Sequence, residues 1–200
     1  MLAELLASPG VREECVLRSR FGFMAFHGGS LEEMTDVIAE AAAERCGASY
    51  YAVLQPDDLQ WHIPSHKLSP ADSPAMQSFI DHVDVVVTVH GFGRQHMFTS
   101  LLLGGRNRAL AAHLAPYLTE RLPAYDIRTD LDAIPPDLRG QHAANPVNLP
   151  RQQGVQIELP PRVRGSSPLW WDWEGPGHTP HTEALIEGLA AAAAAWHLDA

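Results

Sequence analysis

The feature that most constrains the fold is the run DVVVTVH, which extends from Asp84 to His90. Four of its residues are valines, and they occupy both alternate sets of positions, which predicts a β-strand buried on both faces. Strands of this kind belong to sheets that carry helices on each side, so the run favours an α/β chain. The run also ends in a histidine, which is a candidate functional residue.

Apolar runs alternate with helical patterns along the rest of the chain. Further strands are predicted at 22–27, 49–54, 99–103, 125–129 and 154–159, and helices at 31–46, 71–81, 107–122 and 182–197. This alternation predicts a single-domain three-layer sandwich around a mixed, mainly parallel sheet. The segment from Asp130 to Arg151 is rich in Pro, Asn and Gly, and we interpret it as a long functional loop.

The composition narrows the class of function. The chain has 200 residues, 46% of them hydrophobic and 19% charged, which is typical of one globular domain over residues 1–200. A formal net charge of −10 disfavours nucleic acid as a partner, because phosphate binding needs a basic surface. No apolar run is long enough to span a membrane, and no basic residue precedes the N-terminal apolar patch. We therefore expect no membrane partner and a cytoplasmic protein, or one released only by lysis.

Three predicted strands carry polar residues at or near their ends. His27 ends the first of these strands, His90 ends the valine run, and Glu158 lies in the last strand. Ligand crevices of open α/β sheets lie outside the carboxyl ends of the strands, so we expect these three residues to converge. The two cysteines, Cys15 and Cys46, form no metal-type pair and are expected to be reduced.

The stretch FHGGSLEE, which begins at Phe26, has two interpretations. Its glycines permit a tight turn after His27, and Ser30 is a candidate N-cap that places Glu32 in the first helical turn. If the turn folds Glu32 back toward His27, the two residues and His90 form a two-histidine, one-carboxylate set typical of catalytic zinc sites. Alternatively, Glu32 only complements the helix dipole and His27 only ends its strand.

Glu158 is an ionisable residue in an otherwise apolar strand. Strand alternation puts Gln156 and Glu158 on the face opposite Val155, Ile157 and Leu159. Either that face is solvated, or Glu158 lies in a pocket. In a pocket it would act as a general base that activates water and then protonates the leaving amine.

Several segments, taken in order, resemble the phage-type poly-γ-glutamate hydrolase family, whose fold is related to zinc carboxypeptidases. They read HGG followed by a glutamate, WHIPSH, VTVHGF, LLLGGRN and NLPRQQGVQIELPPRVR, and they span residues 21–164. The most specific pieces are HGGxxE and GVQxE with a distal arginine. Residues 165–200 form a divergent tail with a C-terminal helix, outside the resemblance. The resemblance implies one Zn²⁺ held by His27, Glu32 and His90, with Glu158 as the catalytic carboxylate.

The resemblance also implies an anionic γ-glutamyl polymer or an acylated amino acid as substrate. Arginine binds carboxylates through its planar fork, and several arginines lie in or beside the motif segments. The residues expected to contact substrate are Arg106, Arg151, Arg162 and Arg164, together with His62 and Ser65. Proline stands at position 64, where the family usually has threonine, so the shape of the loop around His62 stays open.

Two functional hypotheses follow. The first is a zinc-dependent amidohydrolase that cuts γ-glutamyl amide bonds, as in poly-γ-glutamate. The second is a catalytically inactive zinc- or ligand-binding module of the same fold. The chain contains no GxSxG nucleophile elbow, no GxGxxG fingerprint and no P-loop, which disfavours serine hydrolases and nucleotide-binding proteins. The sequence sets no oligomeric state.

Overall fold

A computed structural model describes residues 1–197, and the last three residues of the expected tail (165–200) lie outside the described residues. The strands are Arg12–Val16 (β1), Phe21–Gly29 (β2), Ser49–Gln55 (β3), Val85–Gly91 (β4), Ser100–Leu103 (β5), Asp126–Arg128 (β6) and Gly154–Leu159 (β7). The helices are Leu2–Leu6 (α1), Thr35–Cys46 (α2), Pro74–His82 (α3), Arg108–Arg121 (α4), Pro161–Arg164 (α5) and Pro180–Ala195 (α6). Within residues 1–197, none of these helices has the length and apolar character needed to cross a bilayer.

The strands form one sheet in the order β1-β3-β2-β4-β7-β5-β6. Strands β3, β2, β4 and β7 are mutually parallel, whereas β1 is antiparallel to β3 and β5 is antiparallel to β7. This mixed, mainly parallel sheet confirms the predicted fold class. Because β2, β4 and β7 are parallel neighbours, their carboxyl ends lie side by side at one edge of the sheet.

Strand β4 is buried on both faces, as the valine run predicted. Val85, Val87 and Val89 pack into a hydrophobic cluster that also contains side chains of α2, α4 and α6. Val86 points the other way, into a second cluster with side chains of α1 and α3. Helices on both faces of the sheet therefore complete the three layers, with β4 at the centre.

Helix α2 begins later than predicted, and the proposed N-cap is wrong. The helix begins at Thr35, and the hydroxyl of Ser30 donates instead to the carbonyl oxygen of Pro56, at 2.6 Å. The backbone N–H of Glu32 donates to the carbonyl oxygen of His27, at 2.9 Å, which turns the chain back on the strand end. Glu32 thus lies in a loop before the helix, so the interpretation that it only complements the helix dipole is also wrong.

The first helix and the first strand were not predicted. Helix α1 is short, and strand β1 has the sequence REECV, whose charges hide any apolar alternation. This strand lies at the edge of the sheet, where charged side chains are common because one side of the strand faces solvent. The 130–151 segment is a loop, as predicted, and it carries three single 3₁₀ turns.

Gly29 is expected to be hard to replace, because it holds the turn between β2 and the Glu32 loop. Its φ is +68°, and a Cβ at this position would lie 2.3 Å from the carbonyl oxygen of Gln55. Gly29→Ala combines left-handed strain with a backbone clash, so we expect it to lower the free energy of unfolding by about 3 kcal/mol or more. Urea denaturation of both proteins measures the difference.

Gly47→Ala is the matched control for this substitution. Gly47 ends α2 with a φ of +69°, but nothing lies within 4 Å of a Cβ built there. We expect this control to lose only about 1 kcal/mol, from backbone strain alone. Equal losses in the two variants would show that the close approach to Gln55 has no energetic weight.

Candidate active site

The carboxyl ends of β2 and β4 bring together the three residues predicted to bind metal. Nδ1 of His27 lies 2.8 Å from Oε1 of Glu32, and Nδ1 of His90 lies 3.3 Å from Oε2 of Glu32. The N–H of Gly91 also donates to this Oε2, at 2.9 Å. All three side chains are largely buried, with 2%, 11% and 4% of their surface exposed for His27, Glu32 and His90. The structure therefore places the predicted ligands in one compact cluster.

The surroundings of His27 determine which of its two ring nitrogens carries a hydrogen and which is free to bind a metal. Nε2 lies 2.8 Å from the carbonyl oxygen of Ile63, and a carbonyl only accepts, so Nε2 carries a hydrogen. In a neutral imidazole Nδ1 then turns a lone pair toward a carboxylate oxygen, which is repulsive without a proton or a cation between them. A divalent cation satisfies both groups, and a carbonyl on the other ring nitrogen is usual for metal-binding histidines. The donor set fits a metal ion.

His62 lies beside this cluster and was not predicted as a metal donor. Its ring centroid is 4.6 Å from that of His27. One ligand atom from each of His27, Glu32 and His62 lies within 4.8 Å of the other two. The sequence placed His62 in contact with substrate, because Pro64 makes a helix that would pair His62 with His66 as ligands unlikely. The structure brings it to the cluster from the loop after β3. Within residues 1–197, the group whose ligand atoms lie this close contains His62 and not His90, so the two histidines are alternative third donors.

The charges of the cluster are strongly coupled. Burial alone would raise the pKa of Glu32, but the imidazoles of His90 and His27 outweigh it and hold that pKa well below its usual range. Burial lowers the pKa of His90. Burial, together with repulsion from His27, also lowers the pKa of His62. An ionised Glu32 carboxylate beside the lowered-pKa imidazoles of His90 and His62 is a favourable donor set, because metal ligands must be deprotonated.

Glu158 faces the same edge of the sheet from β7. It stands opposite His90 in the parallel register between β4 and β7, and only 4% of its surface is exposed. Glu158 therefore lies in a pocket and not on a solvated strand face. Burial, reinforced by the negative charge of Glu32, raises its pKa well above the usual range, while a hydrogen bond from Gln156 opposes the rise. A carboxyl with a raised pKa is suited to general acid–base chemistry near neutral pH.

A cavity of about 830 Å³ opens over Glu158 and the histidine–glutamate cluster. Its walls come from the strand ends, from the loop after β3 and from the 130–151 loop. Six of the predicted site residues line it: His27, Glu32, His62, Ser65, His90 and Glu158. Among residues 1–197, no Lys or Arg side chain lines this cavity.

Comparison with protein families identifies the group to which the chain belongs. Residues 3–167 match the model of a family described as poly-gamma-glutamate hydrolase. The chain is a member of the poly-gamma-glutamate hydrolase family. The match extends from α1 to just beyond α5, so it includes the histidine–glutamate cluster and Glu158. A search of curated proteins found no match.

Solved structures share the fold of this poly-gamma-glutamate hydrolase family member. A bacteriophage poly-gamma-glutamate hydrolase has a TM-score of 0.72 at 18% identity, with 94% of this chain and 91% of that chain covered. A zinc-free apo form of YNDL has a TM-score of 0.74 at 19% identity, with 91% and 88% covered. A metallo-carboxypeptidase from Burkholderia cenocepacia has a TM-score of 0.53 at 10% identity, with 96% and 66% covered. The fold is thus carboxypeptidase-like.

Of the four arginines selected from the sequence, Arg164 lies near the cluster in this family member, and Arg106 contacts a loop that walls the larger cavity. Arg164 is buried and lines a second cavity of about 390 Å³, which also touches Glu32. Its guanidinium packs against Gly91, where an added Cβ would lie 2.8 Å from the Arg164 Cζ atom. Arg106 is exposed, and its Nε donates to the carbonyl oxygen of Gln141, at 2.9 Å, on the loop that walls the larger cavity.

The structure does not bring the other two arginines to either cavity. Arg162 lies against the ring of Tyr125, with its Cζ 5.9 Å from the ring centroid. Arg151 is paired with Asp84, at 3.4 Å, beside the amino end of β4. A strand rises about 3.3 Å per residue, so Asp84 is about 20 Å from His90 at the other end. Proximity to the motif segments in sequence therefore did not place these two side chains near the site.

Proposed function

We propose that the chain is a zinc-dependent amidohydrolase that cuts γ-glutamyl amide bonds, as in poly-γ-glutamate. One observation carries the proposal: a buried carboxyl group, Glu158, lies beside a His–Glu–His cluster at the base of a large cavity. Membership of the poly-gamma-glutamate hydrolase family supports the reaction class, and the carboxypeptidase-like fold agrees with it. We take residues 1–200 as one hydrolase domain, with the motif core at 21–164.

His27, Glu32 and His90 are the proposed ligands of one Zn²⁺ per chain. Zinc binds histidine nitrogens and carboxylate oxygens, and catalytic sites use three protein ligands and leave one position open. We prefer His90 to His62 as the third ligand, because His90 is buried and its Nδ1 faces the second oxygen of Glu32. His62 is exposed and lies on the cavity side of the cluster. When bound, zinc supplies Lewis-acid chemistry that polarises the scissile carbonyl and acidifies water.

Glu158 is proposed to move the proton during hydrolysis. In its ionised form it accepts a proton from the attacking water as the oxygen–carbon bond forms. In its protonated form it returns that proton to the amide nitrogen as the carbon–nitrogen bond breaks. Its raised pKa supports the acid role, because burial favours the protonated form.

The carboxylates of the substrate need local donors, because the net charge of −10 repels a polyanion. His62 and Ser65 present polar groups in the larger cavity, and Arg164 presents its guanidinium in the second. Arg106 lies beside the loop that walls the larger cavity. We propose that these four residues contact the γ-glutamyl chain on the two sides of Glu32. Arg151 and Arg162 lie outside both cavities and have no role in the proposal.

The test of this function is metal-dependent depolymerisation. Incubation with poly-γ-glutamate should shorten the polymer on size-exclusion chromatography, and exhaustive chelation should abolish the shortening. One equivalent of Zn²⁺ should restore it. α-Linked polyglutamate, which carries the same charge on a different backbone, is the matched control and should stay intact. Undiminished cleavage after removal of the metal would contradict the proposal. Zinc binding without turnover would favour the inactive binding module instead.

A further inference from the structure

The 130–151 loop is connected to Glu158 by a chain of side-chain hydrogen bonds. Nδ2 of Asn145 donates to Oε1 of Gln156, at 2.8 Å, and Nε2 of Gln156 donates to Oε1 of Glu158, at 2.7 Å. All three residues are buried, and Gln156 and Glu158 occupy alternate positions on one face of β7. The proposed reaction assigns no role to the loop or to the two amides.

The direction of donation is set at the outer end of this chain. The backbone N–H of Val147 only donates, and it lies 3.3 Å from the side chain of Asn145, so the atom that faces it is Oδ1. Nδ2 of Asn145 must then face Gln156, where it needs an acceptor, which is Oε1. This turns Nε2 of Gln156 toward Glu158. Oε1 of Glu158 is therefore required to accept a hydrogen bond.

The loop also prevents Gln156 from turning over. The carbonyl oxygen of Leu138 lies 3.4 Å from Nε2 of Gln156, and a carbonyl in this position favours the nitrogen over the oxygen. Gly140 packs directly on the same side chain, with a φ of +63°. A Cβ at Gly140 would lie only 2.7 Å from Oε1 of Gln156. The amide is thus confined in one orientation by close backbone contacts.

We infer that Asn145 and Gln156 are positioning residues that decide which oxygen of Glu158 carries the proton. Oε1 is held as an acceptor by Gln156, so the proton that Glu158 takes from water is carried on Oε2. The same atom returns it to the leaving nitrogen. The catalytic part of this inference rests on the proposed function. The hydrogen-bond chain does not depend on that function, so a separate experiment tests it.

The catalytic part is tested by a double-mutant cycle on the zinc-loaded full-length protein. Gln156→Met removes the amide and keeps the length of the side chain, and we expect kcat to fall about 10–100-fold, as for other residues that orient a catalytic group, with KM changed less than about threefold. Asn145→Ala should lower kcat less. In the double variant, Asn145→Ala should cause no further loss of kcat beyond that of Gln156→Met, because Asn145 acts through Gln156. Additive losses, or an unchanged kcat in Gln156→Met, would overturn the positioning role.

Asp130→Ala is the matched control for damage to the loop. Oδ1 of Asp130 accepts a hydrogen bond from the backbone N–H of Asp132, at 3.0 Å, at the start of the same loop, and neither residue is among the groups that hold Gln156. Its effect on kcat should therefore be additive with Gln156→Met. Non-additivity in this control as well would mean that any loosening of the loop mimics the proposed coupling, and the inference would fall.

The hydrogen-bond chain from Asn145 to Glu158 is tested by nuclear magnetic resonance, which requires no catalytic turnover. The side-chain amide of Gln156 is assigned from its loss in Gln156→Met. In Glu158→Gln its protons should change chemical shift, because the carboxyl oxygen that accepts from Nε2 is replaced by an amide oxygen. Asn145→Ala should also shift them, whereas Asp130→Ala should leave them in place. If the amide signal of Gln156 keeps its chemical shift in both Glu158→Gln and Asn145→Ala, the proposed hydrogen-bond chain is contradicted. This holds even if the protein has no hydrolytic activity.

Discussion

Glu158→Gln is expected to lower kcat for poly-γ-glutamate hydrolysis by at least about 10³-fold. An amide cannot take a proton from water, so the step assigned to Glu158 loses its base. The shape of the site is preserved, because Gln156 can still donate to the remaining carbonyl oxygen. KM should therefore change little. Initial rates of polymer shortening in the variant and the wild type give the comparison.

The same substitution is expected to stabilise the metal-free protein at neutral pH. Burial and the charge of Glu32 raise the pKa of Glu158 in the folded state. The folded protein then holds this proton more tightly than the unfolded chain does, so stability is lost as pH rises above the unfolded pKa of about 4.3. Glutamine removes that loss. The Tm of the variant should exceed that of the wild type by at least about 3 °C at pH 7 and by almost nothing at pH 4.

Glu120→Gln controls for the loss of a negative charge, since the side chain of Glu120 is 78% exposed. We expect its Tm to follow that of the wild type at both pH values. Thermal unfolding by circular dichroism after chelation measures all three proteins. A gain in Glu158→Gln that is the same at pH 4 and pH 7 would contradict the assigned pKa, and activity within about tenfold of wild type would contradict the assigned base.

Removal of a proposed ligand is expected to abolish zinc binding. Wild-type protein should contain about one zinc per chain, whereas His27→Ala and His90→Ala should retain less than about 0.1 after dialysis, because each loses one of three ligands. His62→Ala should retain most of the metal, since His62 is exposed whereas His90 is buried against Glu32. Inductively coupled plasma mass spectrometry of the dialysed proteins measures the metal content.

Chelation supplies a second measure of the same site. A ligand that binds only the folded state raises Tm, so chelation should lower the Tm of the wild type and leave that of His27→Ala unchanged. His178→Ala, a histidine outside both cavities, is the control and should behave as wild type in both assays. Zinc loss in His62→Ala but not in His90→Ala would assign the third ligand to His62. Full zinc content in His27→Ala would contradict the site.

Much of the site could be predicted from local patterns in the sequence. The valine run implied a central buried strand, and a parallel sheet aligns the carboxyl ends of adjacent strands. His27 and His90 end two such neighbours, and Glu158 lies near the end of a third. Their convergence therefore followed from topology, before any side-chain geometry was known. The turn after His27 was also foreseen as one of two alternatives, and the structure selects the one that folds Glu32 back.

Loop residues were harder to place, because no periodic pattern governs where an irregular backbone turns. His62 reaches the cluster from the loop after β3, and its position depends on how that loop packs against His27. The arginines show that closeness in sequence does not imply closeness in the structure. Arg151 is only seven residues from Glu158 in the sequence, yet its side chain pairs with Asp84 beside the amino end of β4. A side chain that begins at the wrong end of a strand cannot reach the opposite edge.

The α/β class, the central strand and the residues near the ends of parallel strands could be predicted from the amino-acid order, because burial patterns with a period of two depend only on neighbours along the chain. Which groups meet from distant segments depends on the packed structure. It placed Arg164 beside Gly91, and it closed the 130–151 loop over Gln156. These contacts depend on hydrogen-bond directions and close backbone approaches, which exist only once the layers have packed. They now link an asparagine in a loop to one oxygen of Glu158.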